Sequence, residues 1–472
     1  LLHGTPTTYE VTVGELARGF RHWSANLYLA DRWKLHPRLQ LYYGLRYSPD
    51  AAPVEVNEMD VIPYRCDCNN FSPRFSLALD LGGGWLSRAS YTLSFGQTPQ
   101  VTYQQVRNNP PHVRYIQAQN PDLVNPLRGV DLSNANGRYS PTLLSPDLVS
   151  PYAHQYNLAL ERKVRHATLR LGYVGSRTIK LINSFVMNRA DPVPGIPLTT
   201  ATVDQRRPDP RYYEVKHIIN GGIAYLDAAQ ASFEMPLARG LSWGAAYTFG
   251  KAIDEGPDYS STAANADLLT ARSQWQYDSF KDKKGLSNFD STHAFSLYYN
   301  YDLPAVPGGR LTWLLNGWQL SGAALLKSGT PLTLYLGSDA PGFGNVDGGP
   351  SDRPHILDPS ILGRTIGDPN TAPLILTRDR FAFMAPGDHR GSLGRGTFRK
   401  SGIANLNTAL TKQWRLSGKR EWTALLRGEA YNLTNTPQFD EPQRNLTSPS
   451  FGRITNTLND GRIFQLGLRL IL

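Results

Sequence analysis

Residues 462–472 read Arg-Ile-Phe-Gln-Leu-Gly-Leu-Arg-Leu-Ile-Leu, with Phe464, Leu466, Leu468, Leu470 and Leu472 apolar at every second position. Gln465, Gly467 and Arg469 lie between them, so one face is apolar and the other polar. A period of two belongs to an extended strand whose faces meet different surroundings. The same alternation recurs along the chain in pieces of about ten residues, the length a tilted strand needs to cross a bilayer. The expected fold is therefore all-β: a transmembrane antiparallel up-and-down β-barrel.

Working back from that stretch, alternation marks 23–34 and 39–47, joined by a turn at His36-Pro37. Further pairs are 71–80 with 85–95, 154–162 with 167–175, 227–234 with 241–251, 293–302 with 313–326, and 403–414 with 421–432. With the terminal strand this makes about thirteen spans. Their connections alternate between short (35–38, 81–84, 163–166, 235–240, 303–312, 415–420) and long (48–70, 96–151, 177–222, 252–288, 328–402, 433–461). Short periplasmic turns and long extracellular loops are the pattern of outer-membrane barrels. A soluble sandwich has no reason to sort its loops by length.

Composition agrees. Of 472 residues 40% are hydrophobic, and no run of ~18 apolar residues exists, which excludes membrane-spanning helices but not strands that face a lumen on one side. Aromatics at 11% argue against disorder. The net charge of +10 admits a nucleic-acid binder, but the basic residues are dispersed rather than clustered. Trp33, Trp85, Trp243, Trp313, Trp318, Trp414 and Trp422, seven of nine tryptophans, sit beside the short turns. Tyr47, Phe95, Tyr173, Phe249 and Tyr431 mark the opposite strand ends. Two aromatic belts suit headgroup layers and have no explanation in water.

Several ordered motifs carry a resemblance: Asp31-Arg32-Trp33-Lys34 with Gly44-Leu45-Arg46-Tyr47, Phe71-Ser72-Pro73-Arg74-Phe75, and Gly172-Tyr173-Val174-Gly175-Ser176-Arg177. Others are 246–254 (AYTFGKAID), 316–322 (NGWQLSG), 427–435 (RGEAYNLTN) and 450–454 (SFGRI). In these the chain resembles the Oar-like TonB-dependent receptors of the bacterial outer membrane, large barrels plugged by an N-terminal domain. The resemblance implies energised import of a solute, with the bilayer, its lipopolysaccharide and the inner-membrane TonB system as partners. Such a barrel has about 22 strands, so residues 1–472 are expected to be the C-terminal part of one barrel domain, without plug, TonB-interacting segment or the first strands. No export-signal pattern opens the chain at Leu1, as expected of a processed or truncated chain or of one piece of a larger protein. Leu472 stands where the family usually has an aromatic residue.

No catalytic signature is present: no His begins an HExxH helix and no GxSxG elbow occurs, so the chain is read as a non-enzyme. Gly82-Gly83-Gly84 reads as a hairpin turn rather than a phosphate cradle. Arg46, Arg88, Glu161, Arg170, Glu234, Arg427 and Glu429 share the polar faces of their strands, as lumen-lining candidates or as a salt-bridged wall. Cys66 and Cys68 are too few for a metal site, and a local disulfide or a bond to another part remain open. Asp339, Asn345, Asp347 and Asp352 are hard oxygen ligands among glycines, as a structural calcium site requires, though plain turn chemistry explains them as well. Loop residues Tyr103 to Tyr115 are candidates for ligand capture at the surface. The alternative to a receptor is a passive porin or surface scaffold without energy coupling.

Overall fold

The computed structural model describes residues 8–133, 136–238, 240–256, 273–277, 282–350, 352–416 and 422–471. Thirteen long strands form one antiparallel meander. They are β1 (Leu27–His36), β2 (Leu39–Tyr47), β3 (Phe71–Gly82), β4 (Trp85–Phe95), β5 (Tyr152–Val164), β6 (Ala167–Met187) and β7 (Val215–Ala238). The series continues with β8 (Leu241–Asp254), β9 (His293–Asp302), β10 (Trp318–Lys327), β11 (Ile403–Leu416), β12 (Trp422–Tyr431) and β13 (Ile463–Ile471). Each pairs with its sequence neighbours, and two short segments, 142–144 and 285–286, bring the sheet to 15 strands. Among the described residues, β1 and β13 are its two open edges. Among the described residues no helix is long and apolar enough to cross a membrane.

Alternation places the apolar side chains on one outer face. Leu158 is 57% exposed, Leu171 50% and Leu466 77%, with no second sheet or helix over them. In water such a surface would drive association; against lipid it is what a spanning strand requires.

The two strand ends differ as the aromatic pattern suggests. At the short-turn end the Arg162 guanidinium lies 4.6 Å over the Trp85 ring, and Lys412 Nζ sits 5.3 Å from Trp318 and 5.2 Å from Trp414. The Trp414 indole N–H donates to Trp313 O at 3.2 Å, and that of Trp318 to Leu314 O at 2.8 Å. At the long-loop end Tyr47 stacks on Phe71 with centroids 4.6 Å apart, and Phe95 packs at a tilt against Tyr152 at 5.5 Å. Rings that keep an apolar body and a satisfied polar edge suit an interface. Gly83 and Gly84 form the β3–β4 turn with φ of 61° and 83°, left-handed values that glycine adopts at no steric cost in a two-residue hairpin.

Several strand boundaries differ from the sequence reading, each for a physical reason. Trp23 lies outside β1, because Ser24 bridges to Asp50 in the adjoining loop instead of continuing the ladder. Trp313 sits in a helical turn, Thr312–Leu315, and Gly317 at φ 77° turns the chain into β10. β6 and β7 run to 21 and 24 residues, well beyond the 167–175 and 227–234 expected. Their extensions lose alternation because loops cover both faces, burying Ile182, Val186 and Ile218. The connection 417–421 and Leu472 lie outside the described residues.

The long loops build cores of their own. Leu332, Leu334, Leu336, Ile361, Ile366, Leu376, Phe398 and Leu446 pack in a cluster that joins the β10–β11 and β12–β13 connections. A second cluster, around Tyr64, Tyr103, Leu148 and Ile218, joins the β2–β3 and β4–β5 connections to β7. Buried apolar clusters of this size make the outer end a folded body rather than loose loops.

Candidate functional site

On the polar face, register brings distant residues together. Arg170 opposes Glu161 across β6 and β5, and Arg88 reaches it from β4. Arg88 Nε and Arg170 Nη2 meet the same Glu161 Oε1 at 2.8 and 2.9 Å, with the carboxylate 7% exposed. Arg427 pairs with Glu429 at 2.9 Å on β12. Arg46 Nε donates to Asn26 Oδ1 at 3.1 Å. Glu234 is exposed at the short-turn end of β7, opposite Gly244 of β8. The candidates therefore form one triad, one pair and two residues apart from both.

Alternation also assigns Arg32 and Arg74 to this face, which the sequence reading did not single out. Arg32 Nη2 donates to Gln40 Oε1 at 2.7 Å. Arg74 opposes Gly44 on β2 and Thr92 on β4. A cleft of about 440 Å³ opens between Arg46 and Arg74, bordered by Tyr28, Tyr42, Ser72 and Thr92.

The acidic loop is organised around arginine. Arg189, just beyond β6, places Nη2 2.8 Å from Asp347 Oδ1 and 2.7 Å from Asp352 Oδ2, and donates from Nη1 to Ser273 O at 2.9 Å. Asn345 Nδ2 donates to Asp347 Oδ2 at 3.0 Å, and Asp339 accepts the amides of Asp347 and Gly348 at 3.1 and 2.7 Å. Oxygens of Asp339, Asp347 and Asp352 are thus engaged by a guanidinium, an amide and backbone, while Asn345 Oδ1 and Asp352 Oδ1 are buried without a hydrogen-bond partner among the described residues. Among the described residues no set of three His, Cys, Asp or Glu has a metal-holding arrangement. The Asp352-Arg353-Pro354 segment knits loops: Arg353 Nε donates to Leu393 O and Nη2 to Asp282 O, both at 2.8 Å. Buried Lys283 donates to Asn183 Oδ1 at 2.9 Å, and Arg395 Nη2 meets Asp254 Oδ1 at 2.6 Å. Such buried charges hold only while each is paired.

Their protonation follows. Burial opposes the Arg189 charge, but Asp352 and Asp347 offset it and hold the guanidinium well above its ordinary range. Burial pushes the Asp352 carboxyl up to about 8 against the pull of Arg189, because Asp347 shares the same cation. A carboxyl raised in the folded state above its unfolded value of 3.8 favours the protonated fold, so local stability falls as pH rises from about 4 to about 8 and levels off above. Protection factors of amides in 339–352, taken relative to the base-catalysed intrinsic exchange rate, should therefore fall as pH rises from about 4 to about 8, and Asp352→Asn should flatten the dependence. Protection that does not change with pH in the wild type would refute the assignment.

Cys66 and Cys68 are bonded to each other. Between them Asp67 Oδ2 accepts the amide of Ser150 at 2.8 Å, tying the first long loop to the next. Tyr103 is 3% exposed and packs edge-on against Phe20 at 5.1 Å, so it is unavailable for capture at the surface; burial against a partner far away in sequence left no local signal.

The sequence profile described as outer membrane beta barrel domain matches residues 1–62 and 62–465. A search of curated proteins finds no sequence relative. Among solved structures, the outer membrane transporter YddB from Escherichia coli superposes with a TM-score of 0.50 at 14% identity, over 94% of this chain and 44% of that one. The ferric enterobactin receptor PfeA of Pseudomonas aeruginosa gives 0.48 at 13% identity, over 94% and 44%. The ferripyoverdine receptor of the same organism's outer membrane gives 0.46 at 12%, over 95% and 38%. The chain thus spans less than half the length of these structures, and at such identity the YddB likeness is one of fold. With a profile matched across almost its whole length and a lipid-suited strand surface, the chain belongs to the outer-membrane β-barrel domain family and resides in the outer membrane.

Proposed function

We propose that the chain is the greater part of the wall of a TonB-dependent receptor that binds a solute at its outer end and imports it, with no bond chemistry of its own. The topology of the edges is the observation that carries this reading. β1 and β13 both run from the long-loop end to the short-turn end. Two such edges cannot pair antiparallel, so closure takes an odd number of further strands. Roughly nine would make the 22-stranded cylinder of plugged transporters. A second copy cannot serve, because matching edge directions would leave parallel seams or invert one copy in the membrane. The folded outer end supports a receptor, and the Oar-like motifs support energy coupling through TonB.

The competing passive porin is separated by conductance. In a planar bilayer the full-length protein should be electrically silent, because a plug fills the lumen; a steady open conductance would favour the porin. The proposed orientation has its own test. In a background with Cys66 and Cys68 replaced by Ser, a cysteine at Val124, 94% exposed, should react with a membrane-impermeant reagent on intact cells. A cysteine at Trp85 should not. Tyr103 and Asp347, also long-loop residues, are buried and would be poor reporters.

A further inference from the structure

The polar face of β1 to β6 carries more positive charge than its own acids balance. Glu161 is shared by Arg88 and Arg170. Asp80 lies at the turn end, where it accepts the amide of Gly82 at 2.9 Å. Among the described residues the guanidinium groups of Arg32 and Arg46 meet only neutral amide oxygens, of Gln40 and Asn26. Arg74 has no ion pair among the described residues, and no carboxylate borders the cleft between it and Arg46. The register sets Arg46 opposite Ser72 and Arg74 opposite Gly44, so the two arginines occupy diagonal positions on one face. Like charges placed so oppose each other, and the arrangement persists at a cost unless an anion joins them.

The surroundings are built to admit one. Ala30, Gly44, Ser72 and Thr92 are small and form a floor, and a Cβ at Gly44 would come within 3.1 Å of Ala30 Cβ. Tyr28 and Tyr42 also border it. The cleft reaches Asn26, Ser48 and Ser94, at the long-loop ends of β1, β2 and β4, so its entrance is on the side from which a solute arrives. Guanidinium forks match carboxylate and phosphate oxygens in a way that lysine or amide groups do not.

We infer that Arg46 and Arg74 form an anion site in the outer vestibule, which takes the carboxylate or phosphate group of a small solute. This rests on the receptor reading for its biological meaning, but equilibrium binding needs no energy coupling, so the two can fail separately. The test uses the full-length protein in detergent micelles, titrated calorimetrically with citrate and, separately, with inorganic phosphate. Saturable binding that weakens with salt is expected for at least one, and the stronger of the two identifies the preferred group. Arg46→Gln and Arg74→Gln should each weaken it about tenfold or more, the loss of one charged hydrogen-bond partner. Arg427→Gln, on a distant strand, should leave it unchanged. Heat-dependent migration of unboiled protein on a gel, a property of closed barrels, keeps misfolding apart from lost binding. Absence of binding by the folded wild type, as when acids from the rest of the protein already fill the site, would overturn the inference. So would full affinity in a folded Arg46→Gln, Arg74→Gln double variant.

Discussion

Replacing Leu171 by Arg is expected to destabilise the full-length barrel in lipid vesicles by ~2–4 kcal/mol, read as a lower urea midpoint for refolding. Leu171 sits near the middle of the spanning part of β6, opposite Leu160 on β5 and Ala231 on β7, with half its surface exposed. A guanidinium there has no water and no protein partner within easy reach. Ser296→Arg provides the control: Ser296 lies on the opposite face of β9, between Ala246 and Leu325. In an aqueous lumen its cost should stay below about 1 kcal/mol, within the usual range for a solvated substitution. Equal costs at the two sites would show that the faces do not meet different solvents.

The second large effect belongs to the outer end. Arg189→Met removes the cation shared by Asp347 and Asp352 and leaves the buried Asp347 carboxylate without its guanidinium, a loss that typically costs ~3–5 kcal/mol. The loss should be local, because the network ties loops to one another through Ser273, Asp347 and Asp352, while the sheet is held by its own ladders. Native-state hydrogen exchange should show protection lost at Ala190 and across 345–349, with the strand amides of β5 and β6 unchanged. Adding Asp347→Asn should restore part of it by removing that uncompensated charge. Unchanged protection in Arg189→Met would mean that the guanidinium is incidental to how these loops pack.

How much of this can be read from sequence depends on the range of the forces involved. The period of two in β13, or in Leu39 to Tyr47, is local, and it determines the strand, its faces and, through loop lengths, the meander. Residues such as Trp23 and Trp313 mislead because an aromatic at an interface keeps the alternation while the backbone has already left the ladder. The long extensions of β6 and β7 are hidden for another reason. Ile182 and Ile218 are buried by loops from elsewhere in the chain, and the alternation that marks a strand between lipid and water disappears. The charged candidates were found by face, which suffices for Arg88, Glu161 and Arg170. It does not reveal that Glu161 serves both arginines, and Arg74 was passed over although the same rule places it on that face. The acidic loop is the sharpest case. Its residue types suit a cation of either kind, and only the fold shows that Arg189, some 160 positions away, brings one positive charge to them.

Nitroxide labels at successive positions from Gln155 to Arg162 on β5, in the full-length protein in vesicles, probe the boundary of lipid and water one residue at a time. Oxygen, which concentrates in hydrocarbon, should relax labels at Tyr156, Leu158 and Leu160. A water-soluble nickel chelate should relax those at Gln155, Asn157 and Ala159, provided the label clears its neighbours. Out-of-phase accessibility with a period of two is the predicted result; accessibilities that rise and fall together along the strand would contradict a wall with hydrocarbon on one side and water on the other.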